Sequence, residues 1–166
     1  MIRLPAAMSV VALSILALAF PAASQAAVRV IQSDEEANQT TLASFPSAKC
    51  TKGKGREGIA QTFRATAKRG GWSLSVNIFR TRAREVDLEY GSDGNADFTV
   101  RGPEGEFTNL FRPPNAPPGG GAIAFNRKKT RMGLGFAPAF NENFTDSVSV
   151  AGGLKCKYPK KKRRRR

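Results

Sequence analysis

A chain of 166 residues holding 27 Lys and Arg against 13 Asp and Glu, with no His, suits one domain and lacks the commonest general base and metal ligand. Serine and cysteine triads built on His are thereby excluded, and two Cys without His do not make a zinc site, so no catalytic residue, metal or cofactor is assigned. The formal charge of +14 is unevenly placed: removing Arg3 leaves +13, and nine cations from Lys155 onward account for all but +4 of that. The body is mildly basic and the tail strongly so.

Residues 1–26 have the build of a cleaved export signal. Arg3 gives a positive start, Ala6 to Phe20 form an uncharged apolar run of 15 residues, and Pro21 ends it. Ser24 and Ala26 supply the small-x-small pattern that a signal peptidase reads, which places cleavage after Ala26. The location implied is secreted or extracytoplasmic, in a periplasm or at a cell surface. No later segment is long and apolar enough to span a membrane, so no integral span is expected after cleavage.

Residues 32–41, QSDEEANQTT, read as a polar surface connection or short helical turn. Further on, Ile59 to Ala67 is a weak strand candidate, and Trp72 to Ile78 a strong one, because Trp72, Leu74, Val76 and Ile78 alternate with Ser, Ser and Asn. Arg84 to Tyr90 alternates Val86, Leu88 and Tyr90 with Glu85, Asp87 and Glu89; it is expected to pair with the preceding strand as a hairpin turning near Thr81 and Arg82. The turn formers GSDGNA at 91–96 lead to a second hairpin with Phe98 to Arg101, and Pro103-Glu104-Gly105 turns the chain again.

Weaker strands follow at Phe107 to Phe111, Ala122 to Phe125, Arg131 to Phe136, Ser147 to Val150 and Leu154 to Tyr158. Residues 112–121, RPPNAPPGGG, hold four prolines and three glycines and read as a long surface loop. Short alternating runs divided by Gly, Pro, Asn and Asp predict an all-β fold, a single antiparallel β-sandwich of jelly-roll or Ig-like type over 27–158. Eleven Phe offer an aromatic core.

Cys50 and Cys156 lie in similar settings, AKCTK and LKCKY, near the two ends of the mature chain. In an oxidising compartment two cysteines pair completely, so a disulfide between segments running side by side is expected. The 159–166 segment carries the consecutive cations Lys160, Lys161, Lys162, Arg163, Arg164, Arg165 and Arg166, which repel one another, stay solvated and predict a disordered tail. Export turns this run away from a nuclear or nucleic-acid role and towards anionic envelope or extracellular polymers, bound through charge and counterion release.

Basic residues also recur in predicted turns: Lys52, Lys54 and Arg56, then Lys68 and Arg69, then Arg127, Lys128, Lys129 and Arg131. If these turns gather, they make a cationic patch. Two other constellations compete. Glu85, Asp87 and Glu89, about 6.5 to 7 Å apart along a strand, touch the spacing of paired glycosidase carboxylates and imply a carbohydrate-active hydrolase, with Arg80, Arg82 and Arg84 as neutralising neighbours. Asp93, Asn95, Asp97 and Glu104 match part of a calcium loop, but Phe98 stands where the sharp turn needs Gly. The reading adopted is an exported, non-enzymatic binding or structural module.

Overall fold

The computed structural model describes residues 27–33, 38–53, 61–90, 95–111 and 120–160. The expected signal (1–26), most of the Pro-Gly loop and the cations Lys161 to Arg166 lie outside them. Eleven strands form: β1 (Val28–Ser33), β2 (Gln39–Phe45), β3 (Ser47–Lys52), β4 (Gln61–Arg69), β5 (Trp72–Phe79), β6 (Glu85–Asp87), β7 (Ala96–Gly102), β8 (Gly105–Thr108), β9 (Ala122–Phe125), β10 (Arg131–Phe140) and β11 (Ser147–Lys157). No helix among the described residues is long and apolar enough to cross a membrane.

The fold is all-β and sandwich-like. Strand order is β2-β1-β11-β3-β4-β5-β7-β8-β10-β9-β6, and a further pairing of β10 with β11 wraps the strands over one core. Two long strands make this possible. The first part of β11 pairs with β1 through Ser149–Gly152, its last part with β3 through Lys155–Lys157, and its other edge with β10. Midway along β10 the register shifts between Leu134 and Ala137, and β11 answers with Gly152 at φ 114°, a conformation L side chains rarely adopt. Such a bulge bends the ribbon and leaves an extra residue outside the ladder, here Phe136, which is 60% exposed.

The core follows strict alternation. Trp72, Leu74, Val76 and Ile78 on β5 face Ala65 and Ala67 of β4 and Phe98 and Val100 of β7, all buried. Phe45, Phe63, Phe98, Phe107 and Phe125 are buried, each side chain contributing about 1.5–3 kcal/mol. Phe136 and Phe144 are exposed, so the aromatic core draws on only part of the Phe complement. Gly102 lies against Trp72 so closely that an added side-chain carbon would fall 2.3 Å from the indole.

Several expectations are corrected. The sheet is mixed, because β3 and β11 run parallel (Cys156 opposite Ala48, Lys157 opposite Lys49). The clearest expected hairpin does not form: β5 pairs with β4 and β7, and β6 crosses to β9, with Val86 opposite Ile123. The 84–90 strand consequently makes no second hairpin with β7, whose own hairpin partner is β8 around Pro103–Gly105. The 32–41 segment is partly strand, since β1 reaches Ser33 and β2 begins at Gln39. Ser147–Val150 and Leu154–Tyr158 belong to one continuous strand, the Gly152-Gly153 step being accommodated within it.

One buried amide ties the β6 exit to this frame. Asn109 is fully buried; its Oδ1 accepts from the Phe98 N–H at 2.7 Å, and its Nδ2 donates to the carbonyls of Glu89 (3.0 Å) and Ala96 (3.4 Å). Beside it, the Thr108 hydroxyl donates to the Phe98 carbonyl at 2.9 Å.

Candidate functional site

Parallel pairing sets the C-terminal ends of β3 and β11 at the same end of the sheet, and the Cys50–Cys156 disulfide joins them across 5.3 Å between Cα atoms. The expected side-by-side run of the two Cys segments is therefore present. Beyond the disulfide, Tyr158 turns inward and its hydroxyl donates to the Lys129 carbonyl at 2.6 Å. The Cys156 N–H donates to the Thr130 carbonyl at 2.9 Å. These bonds fasten the root of the C-terminal segment to the β9–β10 turn.

That turn is locked by its own side chains. Asn126 Oδ1 accepts from the backbone of Thr130 (2.8 Å) and Arg131 (3.0 Å), while its Nδ2 donates to the Thr130 hydroxyl. Lys129 sits at φ 53°, and its Nζ donates to the carbonyls of Arg82 (3.0 Å) and Ala83 (3.3 Å) in the β5–β6 connection. The ammonium also lies 5.1 Å from the Phe125 ring centroid, and Lys52 Nζ lies 5.2 Å from that of Tyr158. Burial pulls the Lys129 pKa below its usual range, and the positive charges of Lys52 and Arg82 pull it further.

Among the described residues none of these cations forms an ion pair. The single ion pair among the described residues, Arg101 with Glu106, is elsewhere, on β7 and β8. Next to the corner the same excess continues over the outward side of the sheet. Arg131 of β10 stands opposite Lys155 of β11, and Lys157 of β11 stands opposite Lys49 of β3, all four exposed. Strands β3, β4, β10 and β11 contain no Asp or Glu. Neither a family model, a curated protein nor a solved structure matches this chain.

The turn cations are only partly brought together. Lys52 and Lys129 meet, joined by Arg82, whereas Lys68 and Arg69 stand at the other end of β4, and Lys54 and Arg56 lie outside the described residues. Arg127 and Lys128 are exposed in the locked turn, and Lys160 is exposed just past the root, leading into Lys161 to Arg166. Sequence reading missed the opposed pairs Arg131–Lys155 and Lys157–Lys49. The alternation of Lys with Cys in Lys155-Cys156-Lys157 placed both lysines outward, but only the register shows what faces them.

The competing constellations fare differently. Glu85, Asp87 and Glu89 are exposed, and β6 is a terminal strand of the sheet. Trp72, an aromatic that could have lined a cleft beside the row, is buried in the β5 core, and none of Arg80, Arg82 or Arg84 forms an ion pair with the row. Asp97 accepts from the Asn77 amide at 2.6 Å, and burial raises its pKa against the opposing effects of that bond and of Arg64. Phe98 is buried as strand core, as its place in the alternation required, and Asp93 lies outside the described residues. Among the described residues no group of three or more Cys, Asp and Glu gathers as a metal site.

Proposed function

We propose that this protein is an exported, non-enzymatic binding module that holds anionic cell-envelope or extracellular polymers with its cationic corner and the Lys160–Arg166 run. The observation that carries the reading is the convergence of Lys52, Arg82 and Lys129 at the root of that run, none of them in an ion pair among the described residues. Compensated surface charge contributes little; an uncompensated cluster raises the local concentration of anions and captures polyanions by releasing their counterions. The apolar run at Ala6–Phe20 and the Cys50–Cys156 disulfide support export, since disulfides persist in oxidising compartments.

Binding of the mature protein to an immobilised polyanion, followed as salt is raised, tests this. Affinity should fall steeply and linearly in log–log form, and replacing Lys160 to Arg166 by Gln should flatten the slope. Salt-independent binding, or none at low salt, removes the reading. Mass measurement of the secreted product should place its first residue at Ala27.

A further inference from the structure

The outward side of β3, β4 and β11 resolves into a pattern that says more about the ligand than net charge does. Along β11, Lys155 and Lys157 are two residues apart, about 6.5–7 Å; across to β3, Lys157 and Lys49 are neighbours at about 5 Å. Continuing in register, Lys49 is opposite Thr66, Thr66 opposite Ser75, and Ser75 opposite Thr99, so hydroxyl donors extend the row of ammonium groups. Like charges placed directly opposite each other destabilise a sheet, and here that happens twice, at Arg131–Lys155 and Lys157–Lys49, with no acid on any of the four strands to relieve it.

The side chains also say which anions fit. Three of the four opposed cations are Lys, which binds as a point charge with three donors and does not impose the flat fork that Arg offers a carboxylate. The outward positions of β3, β4 and β11 are Ser, Thr, Gly, Ala, Lys and Arg; the exposed Phe136 stands at the β10 bulge beside Ala151, four residues along β11 from Lys155, so nucleic-acid bases have no ring to stack on beside Lys49 and Lys157. A phosphodiester chain joined through three carbons, nucleic acid included, carries one charge about every six backbone bonds, the number separating the Cα atoms of Lys155 and Lys157, so the spacing fits a phosphodiester and the lack of a ring beside the lysines favours a polyol over a nucleic acid.

We infer that the outward face of β11 and β3, centred on Lys49, Lys155 and Lys157, binds a linear polyol-phosphate chain, phosphates on the lysines and Arg131, and polyol hydroxyls over the Thr66–Ser75 row. This rests on the polyanion-binding reading above and adds to it a second site, separate from the 160–166 run, and a chemical class.

The test uses full-length mature protein in which Lys160 to Arg166 are all Gln, with and without Lys49→Gln and Lys157→Gln. The probes are poly(glycerol phosphate) of graded length, an oligothymidylate of equal charge, and phosphatidylglycerol vesicles. The tail-neutral protein should bind poly(glycerol phosphate) more tightly as its length grows, and more tightly than either other probe. The two face substitutions should weaken that binding on the order of tenfold. In the unliganded protein Lys157→Glu should raise the melting temperature by about 1–5 °C, because it turns a repulsive pair into an attractive one. If binding vanishes with the tail cations, or the face substitutions leave it unchanged, the face is not a site while the tail-based reading survives. If even the unmodified chain fails to bind, both fall. Preference for the oligothymidylate or the vesicles, or a lowered melting temperature for Lys157→Glu, also overturns the assignment.

Discussion

The two ends of the β10–β11 ribbon share an Asn-closed turn, at Asn126 and at Asn141, and differ in what else holds them. At the Arg131 end a disulfide, a parallel strand pairing and backbone hydrogen bonds hold cations that repel one another. At the Phe140 end the turn is closed by Asn141, Thr145 and Asp146, whose side chains bond one another and the backbone. Rings cluster beside it, Tyr90 to Phe140 at 6.0 Å, and Phe144 to both Phe140 and Phe111 at 6.4 Å. A region whose side chains bond one another holds itself closed; a region whose cations repel is held by the disulfide and the backbone.

Breaking the covalent constraint gives the largest effect expected. Cys50→Ser with Cys156→Ser opens a link spanning 106 residues and should cost about 4–5 kcal/mol in urea unfolding. If the cationic end stores repulsion, the loss will be greater at low salt than at high; a salt-independent loss would mean that the repulsion is negligible. Near the other end, Asn109→Ala leaves the Phe98 N–H and two carbonyls without their partner and should cost about 2–4 kcal/mol, with no change in polyanion binding.

Smaller effects refine the contrast. Phe144 occupies φ 56°, which is strained for a bulky residue, so Phe144→Gly trades relief of that strain against lost ring contacts. Its net change in unfolding free energy should stay within about 1 kcal/mol. The smallest effect is pH-dependent. Because the folded-state pKa of Lys129 is depressed, the unfolded chain binds the extra proton, and stability should rise with pH as the solution passes from that pKa towards the ordinary 10.5. Comparing thermal melts of Lys129→Met and the unaltered protein through this alkaline window isolates the term; identical pH profiles would show that Lys129 is not desolvated. Tyr90 and Tyr158, both raised by burial, act in the opposite sense above 10.0 and cancel in that comparison if the substitution leaves Tyr158 in place.

Much of the strand content was legible because alternation reports burial locally. Trp72–Ile78 and Ala122–Phe125 could be read residue by residue, and the matched surroundings of Cys50 and Cys156 pointed to adjacent segments. Pairing was less legible. Two neighbouring alternating runs suggest a hairpin, yet β6 is drawn to β9, where Val86 packs at the core opposite Ile123, a choice made by the whole sheet. β1 and β2 were obscured by the acidic run beside them, although Val28 and Val30 are fully buried. Asn109 looks like any loop residue until the carbonyls around it are known. For the candidate site, the cations were visible and their opposition was not, since facing charges depend on register.

β11 has one more consequence, in the order of events. It follows β1, β3 and β10 in the chain, and all three pair with it. A chain emerging from its N-terminus has no way to complete this core early: β1 lacks its β11 neighbour and the β3 edge stays open until residue 157 is free, so the core closes only once β11 has been made.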